Sequence, residues 1–226
     1  MDRTQLTAAY RLISELFLYP EDRDPARIEA ALAALAAAPE ALREPLDNFL
    51  AAPLAGSAEE YVATLELAPA VSLYIGSHLY EEPQSCRGAG MSGRNGYMLE
   101  IGNIYRHFGV ELAGGELADF VPVMVEFLGL SLERSDQDRI GLRRYFVETM
   151  LTTGLASLLS ALRRHESPYA HLVDALGVAL AEDIAQMAGG PKWRPPAADD
   201  RLAVAAGVCR PAAAANHTVL ENGAEL

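Results

Sequence analysis

The balance between helix-forming and strand-forming residues constrains the fold of this chain more than any other feature of its sequence. Alanine and leucine supply 71 of the 226 residues, whereas valine, isoleucine and threonine together supply 26. Alanine and leucine have high helix propensities, while β-branched residues favour strands. We therefore expect an all-α fold, with a single compact helical-bundle domain of about eight to ten helices over residues 1–190 and a C-terminal extension.

Apolar spacing and capping residues place these helices along the chain. Asp24 is expected to cap a helix, Ser57 to form a capping box with Glu60, Asp119 to cap the helix that begins at Phe120, and Gly109 to end a helix in the left-handed conformation. The predicted helices cover residues 4–18, 25–38, 40–52, 58–67, 97–108, 120–132, 135–165 and 168–187. Residues 191–226 show no amphipathic period, so we expect a mobile or surface-lying tail there.

An irregular stretch interrupts the helical pattern between Pro69 and Gly96. Glycines and prolines recur in it at positions 76, 83, 88, 90, 93 and 96, and structureless stretches of this length are uncommon in compact domains unless they are functional or mobile. We expect the loop from Gly88 to Gly93 to act as a mobile flap. Beside it, Tyr80 with Glu81 and Glu82 offers an aromatic surface and carboxylates that suit a cationic peptide.

The net charge of the chain indicates which kinds of partner it can bind. The chain carries a formal charge of −13, and residues 1–82 hold 14 of its acidic side chains against 5 basic ones. This balance repels phosphate backbones, so we expect no nucleic-acid binding, and it attracts basic peptides. The sequence shows no signal peptide, no apolar run long enough to span a membrane and only two cysteines, which favours a cytoplasmic protein without an integral membrane segment.

Catalytic and metal-binding patterns are weak. The pairs His78 with Cys86 and Cys209 with His217 are spaced more widely than the ligand pairs of structural zinc sites. The glycine run before Arg94 lacks the Gly-Lys-Ser/Thr ending of a phosphate-binding loop. We expect no enzyme activity, no metal and no cofactor, with a nucleotide-dependent helical switch or enzyme that uses the Gly88–Gly93 loop as the alternative.

The segment from Glu116 to Leu128 is apolar on nearly all helical faces, which indicates deep burial. Glu126 is then expected to be a carboxylate in an apolar environment, either functional or satisfied by helix N-terminal amides or an arginine.

Several motifs together resemble the TorD/DmsD/NarJ family of molybdoenzyme chaperones, and in style the nitrate reductase delta-subunit branch. In the family's Leu-Pro-Asp-His signature, Ala118 replaces the proline and Phe120 replaces the histidine, while Asp119 remains. Arg94 lies eleven residues before Tyr105, where that branch tends to carry an arginine. The motifs are the run Tyr10 to Phe17 with Tyr19-Pro20, the region Tyr74 to Pro83, the run Tyr105 to Val110 and the segment Glu116 to Leu128.

The resemblance implies a non-enzymatic helical chaperone, a monomer or weak dimer. Its partner would be the apo catalytic subunit of a molybdopterin-containing DMSO-reductase-family oxidoreductase, bound in part through a basic, twin-arginine N-terminal signal segment until the cofactor is inserted. A structural subunit retained in the oxidoreductase is the alternative. The residues expected to bind the peptide are Tyr80, Glu81, Glu82, Pro83, Arg94, Asp119, Phe120 and Glu126.

Overall fold

The computed structural model describes residues 1–53, 56–66, 69–81, 92–112 and 115–195, of which Met1–Trp193 form one compact unit. Nine helices and no strands occur in this part of the chain, so the all-α prediction is confirmed. Residues 196–226 lie outside the description, and the predicted tail stays a prediction. The helices are α1 Arg3–Leu16, α2 Pro25–Ala34, α3 Glu40–Ala51, α4 Ala58–Tyr61, α5 Ile75–Leu79, α6 Gly93–His107, α7 Val121–Glu133, α8 Leu142–Arg164 and α9 Tyr169–Gln186.

Helix α1 lies at the centre of the bundle, against α2, α7 and α9. Its apolar residues recur at helical spacing, and Leu6, Tyr10 and Ile13 have no exposed surface. The helix begins at a capping box in which the Asp2 carboxylate accepts from the Gln5 amide and the Gln5 side chain accepts from the Asp2 amide. Burial of this stripe fixes the centre of the core.

A buried ion pair connects α1, α7, α8 and α9. Arg143 donates to both carboxylate oxygens of Asp183 at 2.6 and 2.5 Å, and to Ser131 Oγ at 2.9 Å. The Tyr10 hydroxyl donates to the same carboxylate at 2.6 Å, and burial followed by the charge of Asp183 raises the pKa of Tyr10 well above its ordinary value. Each buried polar group in the network therefore has a partner, as burial requires.

Helix α8 is the longest, and it departs from regular α-helix at Phe146–Leu151, where it makes π-helical turns. Among the described helices, α8 alone is long and apolar enough to cross a membrane by length and composition, with 23 residues and a mean hydropathy of 1.3. Of the 18-residue stretch of α8 that has this hydropathy, 56% is buried inside the protein, as expected for a core helix. The prediction of a start at Ser135 is wrong because Gly141 adopts φ 76° and the Asp138 carboxylate binds the amides of Leu142 and Arg143.

Some of the other predicted helix ends are confirmed and others are not. Asp24 caps α2 through the amides of Ala26 and Arg27, and Gly109 adopts φ 65°, as expected. Ser57 caps α4, but the Glu60 carboxylate does not complete the capping box because it accepts from the hydroxyls of Thr64 and Ser167. The described part of the irregular stretch contains α5 and the first turn of α6, which begins at Gly93 rather than at Tyr97.

Candidate functional site

The starts of α5 and α7 are joined by a short antiparallel bridge between Tyr74 and Phe120. The Ile75 amide donates to the carbonyl of Asp119 at 2.9 Å, and the Val121 amide donates to the carbonyl of Leu73 at 2.9 Å. Segments more than 40 residues apart therefore form one unit. This bridge brings the Tyr74 region and the Glu116–Phe120 turn together.

Asp119 lies at the centre of this unit with no exposed surface. Its Oδ2 accepts from the Gly76 amide at 3.0 Å and from Arg94 Nε at 3.1 Å. The prediction that Asp119 caps its own helix is wrong: Phe120 is the N-cap residue of α7 and makes no side-chain capping bond. The carboxylate instead satisfies an amide in the first turn of α5, a helix from another part of the chain.

Arg94 lies in the first turn of α6 and points inward, with 22% of its side chain exposed. Besides binding Asp119, its guanidinium carbon lies 5.7 Å from the centroid of the Tyr74 ring, within the range of a cation–π interaction. The Ser92 hydroxyl accepts from the Arg94 amide at 3.3 Å and caps the helix. Arg94 thus connects α6 to α5 and to the 116–120 turn.

Two glycines allow α5 to pack closely at this place. A Cβ atom at Gly76 would lie 2.5 Å from Asp119 Oδ2 and 2.9 Å from Arg94 Cγ. A Cβ atom at Gly154 of α8 would lie 2.5 Å from Ile75 Cγ2. Both separations are far below van der Waals contact, so a Cβ atom at either position would force its neighbours to shift.

Half-buried aromatic rings cover the outer side of the unit. Tyr74 and Phe120 pack with ring centroids 5.2 Å apart, and Tyr80 lies 5.6 Å from the ring of Tyr97. Leu117 is 42% exposed beside them. We call Tyr74, Tyr80, Leu117 and Phe120 the aromatic surface. The rest of the protein covers these apolar side chains only in part, so some of their area is exposed to water.

Two carboxylates accompany the aromatic surface. Glu81 is exposed directly after Tyr80, and Glu116 accepts from the Tyr74 hydroxyl at 3.0 Å. Burial, followed by this hydrogen bond, raises the pKa of Tyr74 to about 12. The Tyr74 hydroxyl therefore keeps its proton, and donates it to Glu116, up to a higher pH than an exposed tyrosine would.

The prediction that Glu126 lies in an apolar environment is wrong. Its side chain is 47% exposed and pairs with Arg27 of α2 at 3.3 Å, outside the aromatic surface. The error has a physical reason: α7 leaves one stripe toward solvent, and Glu126 and Glu133 occupy that stripe, two turns apart. An acid inside an apolar run does not by itself indicate burial.

Some predicted residues lie outside the described part of the chain. These are Glu82, Pro83, the loop positions 88–91, and the candidate zinc ligands Cys86, Cys209 and His217. Within the described ranges, no group of three or more histidine, cysteine or acidic side chains is arranged to hold a metal ion. Of the eight predicted peptide-binding residues, the structure brings Arg94 and Asp119 into contact, with Phe120 directly after Asp119. It packs Tyr80 against Tyr97 of α6, and exposed Glu81 follows Tyr80 in the chain.

A groove between α2 and α7, with α1 as its floor, was not predicted. It encloses about 560 Å³ and is lined on the α2 side by Ala30, Ala31 and Ala34. The alanine spacing in the sequence of α2 was the available signal, but alanine is abundant throughout this chain. We call this feature the alanine groove; Thr4, Thr7 and Ala8 lie on its floor, Leu130 on its α7 wall, and Arg3, Arg11, Arg27, Glu126 and Glu133 on its rim.

Comparison with known families gives a match over most of the chain. The family model described as "Nitrate reductase delta subunit" matches residues 21–175. This range extends from before α2 into α9 and includes the aromatic surface, Arg94 and Asp119. No curated protein matches the chain.

Proposed function

Because the chain belongs to the nitrate reductase delta subunit family, a family of molybdoenzyme maturation chaperones, we propose that it binds the apo catalytic subunit of a molybdopterin-containing DMSO-reductase-family oxidoreductase. It acts in the cytoplasm, by stoichiometric binding, and assists cofactor insertion, assembly and the timing of export. The observation that carries this proposal is the match over residues 21–175, which is more than half of the chain.

We propose that the aromatic surface binds a basic N-terminal segment of the client. Half-buried Tyr74, Tyr80 and Phe120 offer ring faces, and Glu81 and Glu116 offer carboxylates. Arginine side chains bind both kinds of group, through cation–π contacts and charge-assisted hydrogen bonds. The formal charge of −13 adds a long-range attraction that salt screens.

In this proposal Asp119 and Arg94 act indirectly. Asp119 has no exposed surface, and Gly76 and Arg94 already use its carboxylate. A client side chain therefore has no access to it. The pair is a positioning element that fixes α5 and the 116–120 turn, which carry the aromatic surface.

Co-expression tests the proposal. The tagged chain is produced together with a candidate molybdoenzyme catalytic subunit in cells unable to make molybdenum cofactor, and complexes are captured on the tag. We expect a one-to-one complex that high salt weakens. If no molybdoenzyme catalytic subunit is retained in its cofactor-free form, the proposal is wrong.

A further inference from the structure

The rim of the alanine groove holds three arginines and two glutamates, although the chain as a whole is acidic. Arg11 pairs with Glu133, and Arg27 pairs with Glu126 and with buried Glu15. Arg3 differs from these arginines. Its guanidinium donates to the hydroxyl of Ser135 at 2.7 Å, and among the described residues no carboxylate lies within ion-pair distance of it.

Helix α2, which forms one wall of the groove, is apolar and yet poorly covered. Arg27 and Glu29 are its only charged residues, but Ala31 is its only buried residue within Pro25–Ala34. Ala30 and Ala34, which line the groove, are both exposed. A helix on a protein surface ordinarily presents polar residues to water, so this exposed apolar face is of the kind that a partner covers.

The dimensions of the groove suit a helix. Its volume of about 560 Å³ lies within the usual range for binding pockets. Arg27 to Ala34 span about 10 Å along α2, which matches two helical turns of a partner. Alanines on the wall and floor leave room for large side chains of an incoming helix at positions i, i+3 or i+4, and i+7.

We propose that the alanine groove is a second client-binding surface, which takes an amphipathic helix of the client with large apolar side chains on one face and acidic residues beside them. The inference rests on the proposed function, but it concerns a different surface. The groove and the aromatic surface share no residue, and their charged side chains differ: the groove rim holds three arginines and two glutamates, whereas Glu81 and Glu116 accompany the aromatic surface. The chaperone thus sorts basic and acidic client segments to separate places.

Two fluorescent peptides test this proposal against the full chain by anisotropy. Both carry the same leucine face over four helical turns, with glutamates flanking it in one peptide and lysines in the other. The lysine peptide can also bind at the aromatic surface, so the preference is taken from the part of each affinity that Ala30→Trp removes. At the groove we expect the glutamate peptide to bind at least about tenfold more tightly than the lysine peptide, and Arg3→Glu should reduce that preference. Equal Ala30-dependent affinities for the two peptides would overturn the proposal.

A matched pair of variants locates the binding. Ala30 and Ala33 are both exposed on α2, but only Ala30 lines the groove. Ala30→Trp fills the groove and should weaken binding of the glutamate peptide about tenfold, while Ala33→Trp should leave it unchanged. Equal effects of the two variants contradict the proposal. So does a wild-type dimer, measured by light scattering, that Ala30→Trp converts to a monomer, because the occupant is then a second copy of the chain.

The client experiment separates the two proposals. If the wild-type chain captures the apo catalytic subunit and Ala30→Trp captures it with unchanged affinity, the groove proposal fails and the chaperone function stands. If the wild-type chain captures no client but still prefers the glutamate peptide in an Ala30-dependent manner, the groove binds acidic helices and the chaperone function fails.

Discussion

Arg94 Nε lies 3.1 Å from Oδ2 of Asp119, and this carboxylate is completely buried. The two residues are 25 positions apart and lie on different elements, α6 and the turn before α7. The same oxygen also accepts from the Gly76 amide, so one side chain holds three segments. The geometry of the aromatic surface depends on this pair.

Removal of the arginine should destabilise the fold. Arg94→Ala leaves the Asp119 carboxylate buried with the Gly76 amide but without its cation, and we expect a loss of about 2–3 kcal/mol in the free energy of unfolding. This is below the usual cost for a buried pair because Arg94 is partly exposed. Urea denaturation measures it. In a double-mutant cycle with Asp119→Ala, strictly additive losses would show that the pair does not interact.

Two glycines provide a matched comparison. Gly76→Ala places a Cβ atom 2.5 Å from Asp119 Oδ2, so the Asp119–Arg94 pair must shift and stability should fall by about 2 kcal/mol. Gly96→Ala on α6 meets no atom within 4 Å and should raise stability by about 0.5–1 kcal/mol through helix propensity. Thermal unfolding of both variants gives the comparison. A similar change at both positions would mean that the close packing at Gly76 has no energetic effect.

Alkaline pH should unfold the protein through its buried tyrosines. Burial raises the pKa of Tyr97 and Tyr105, and burial with the Glu116 bond raises that of Tyr74 to about 12. Above pH 10 the unfolded state loses these protons before the folded state does. Stability is therefore retained below pH 10 and lost as the pH rises toward 12.

Tyr74→Phe isolates one contribution to this pH dependence. The variant should show a shallower fall in unfolding free energy between pH 10 and 12 than the wild type, as measured by urea titrations at several pH values. An identical slope would show that Tyr74 ionises in the folded protein as it does in the unfolded chain.

These residues show what the sequence could predict. The helices follow from apolar spacing and local caps, because those signals lie within one or two turns, as at Asp24 and Gly109. The role of Asp119 could not be found in this way, since its partners Gly76 and Arg94 are distant in the chain. A capping pattern identified the right residue but assigned it to the wrong helix.

At Glu126 the helix was predicted correctly, but the exposure of the side chain was not. The sequence indicated an apolar helix, but which of its residues faced solvent depended on how α7 packed against α1, and Arg27 on α2 completed the contact. Local periodicity cannot supply that packing. The alanine groove was missed for the same reason, because it forms only when α1, α2 and α7 come together.

Charge reversal directly after Tyr80 in the sequence tests how the client is bound. Glu81→Lys with Glu82→Lys should weaken capture of the client's basic N-terminal segment about tenfold at low salt and less at high salt. Glu21→Lys with Asp22→Lys makes the same change in net charge outside the aromatic surface and serves as the control. Isothermal calorimetry with a peptide of that segment measures both. Equal losses of affinity in the two double variants would show that only the net charge of the protein matters for binding.

We propose that this chain holds a molybdoenzyme catalytic subunit before its cofactor is inserted. The most direct measurement is the molybdenum content of the subunit captured by the tagged chain from cofactor-producing cells, compared with the same subunit purified alone. We predict a one-to-one complex whose catalytic subunit contains little molybdenum, while the subunit purified alone is loaded. Capture of a fully loaded subunit, or of none, would contradict the account.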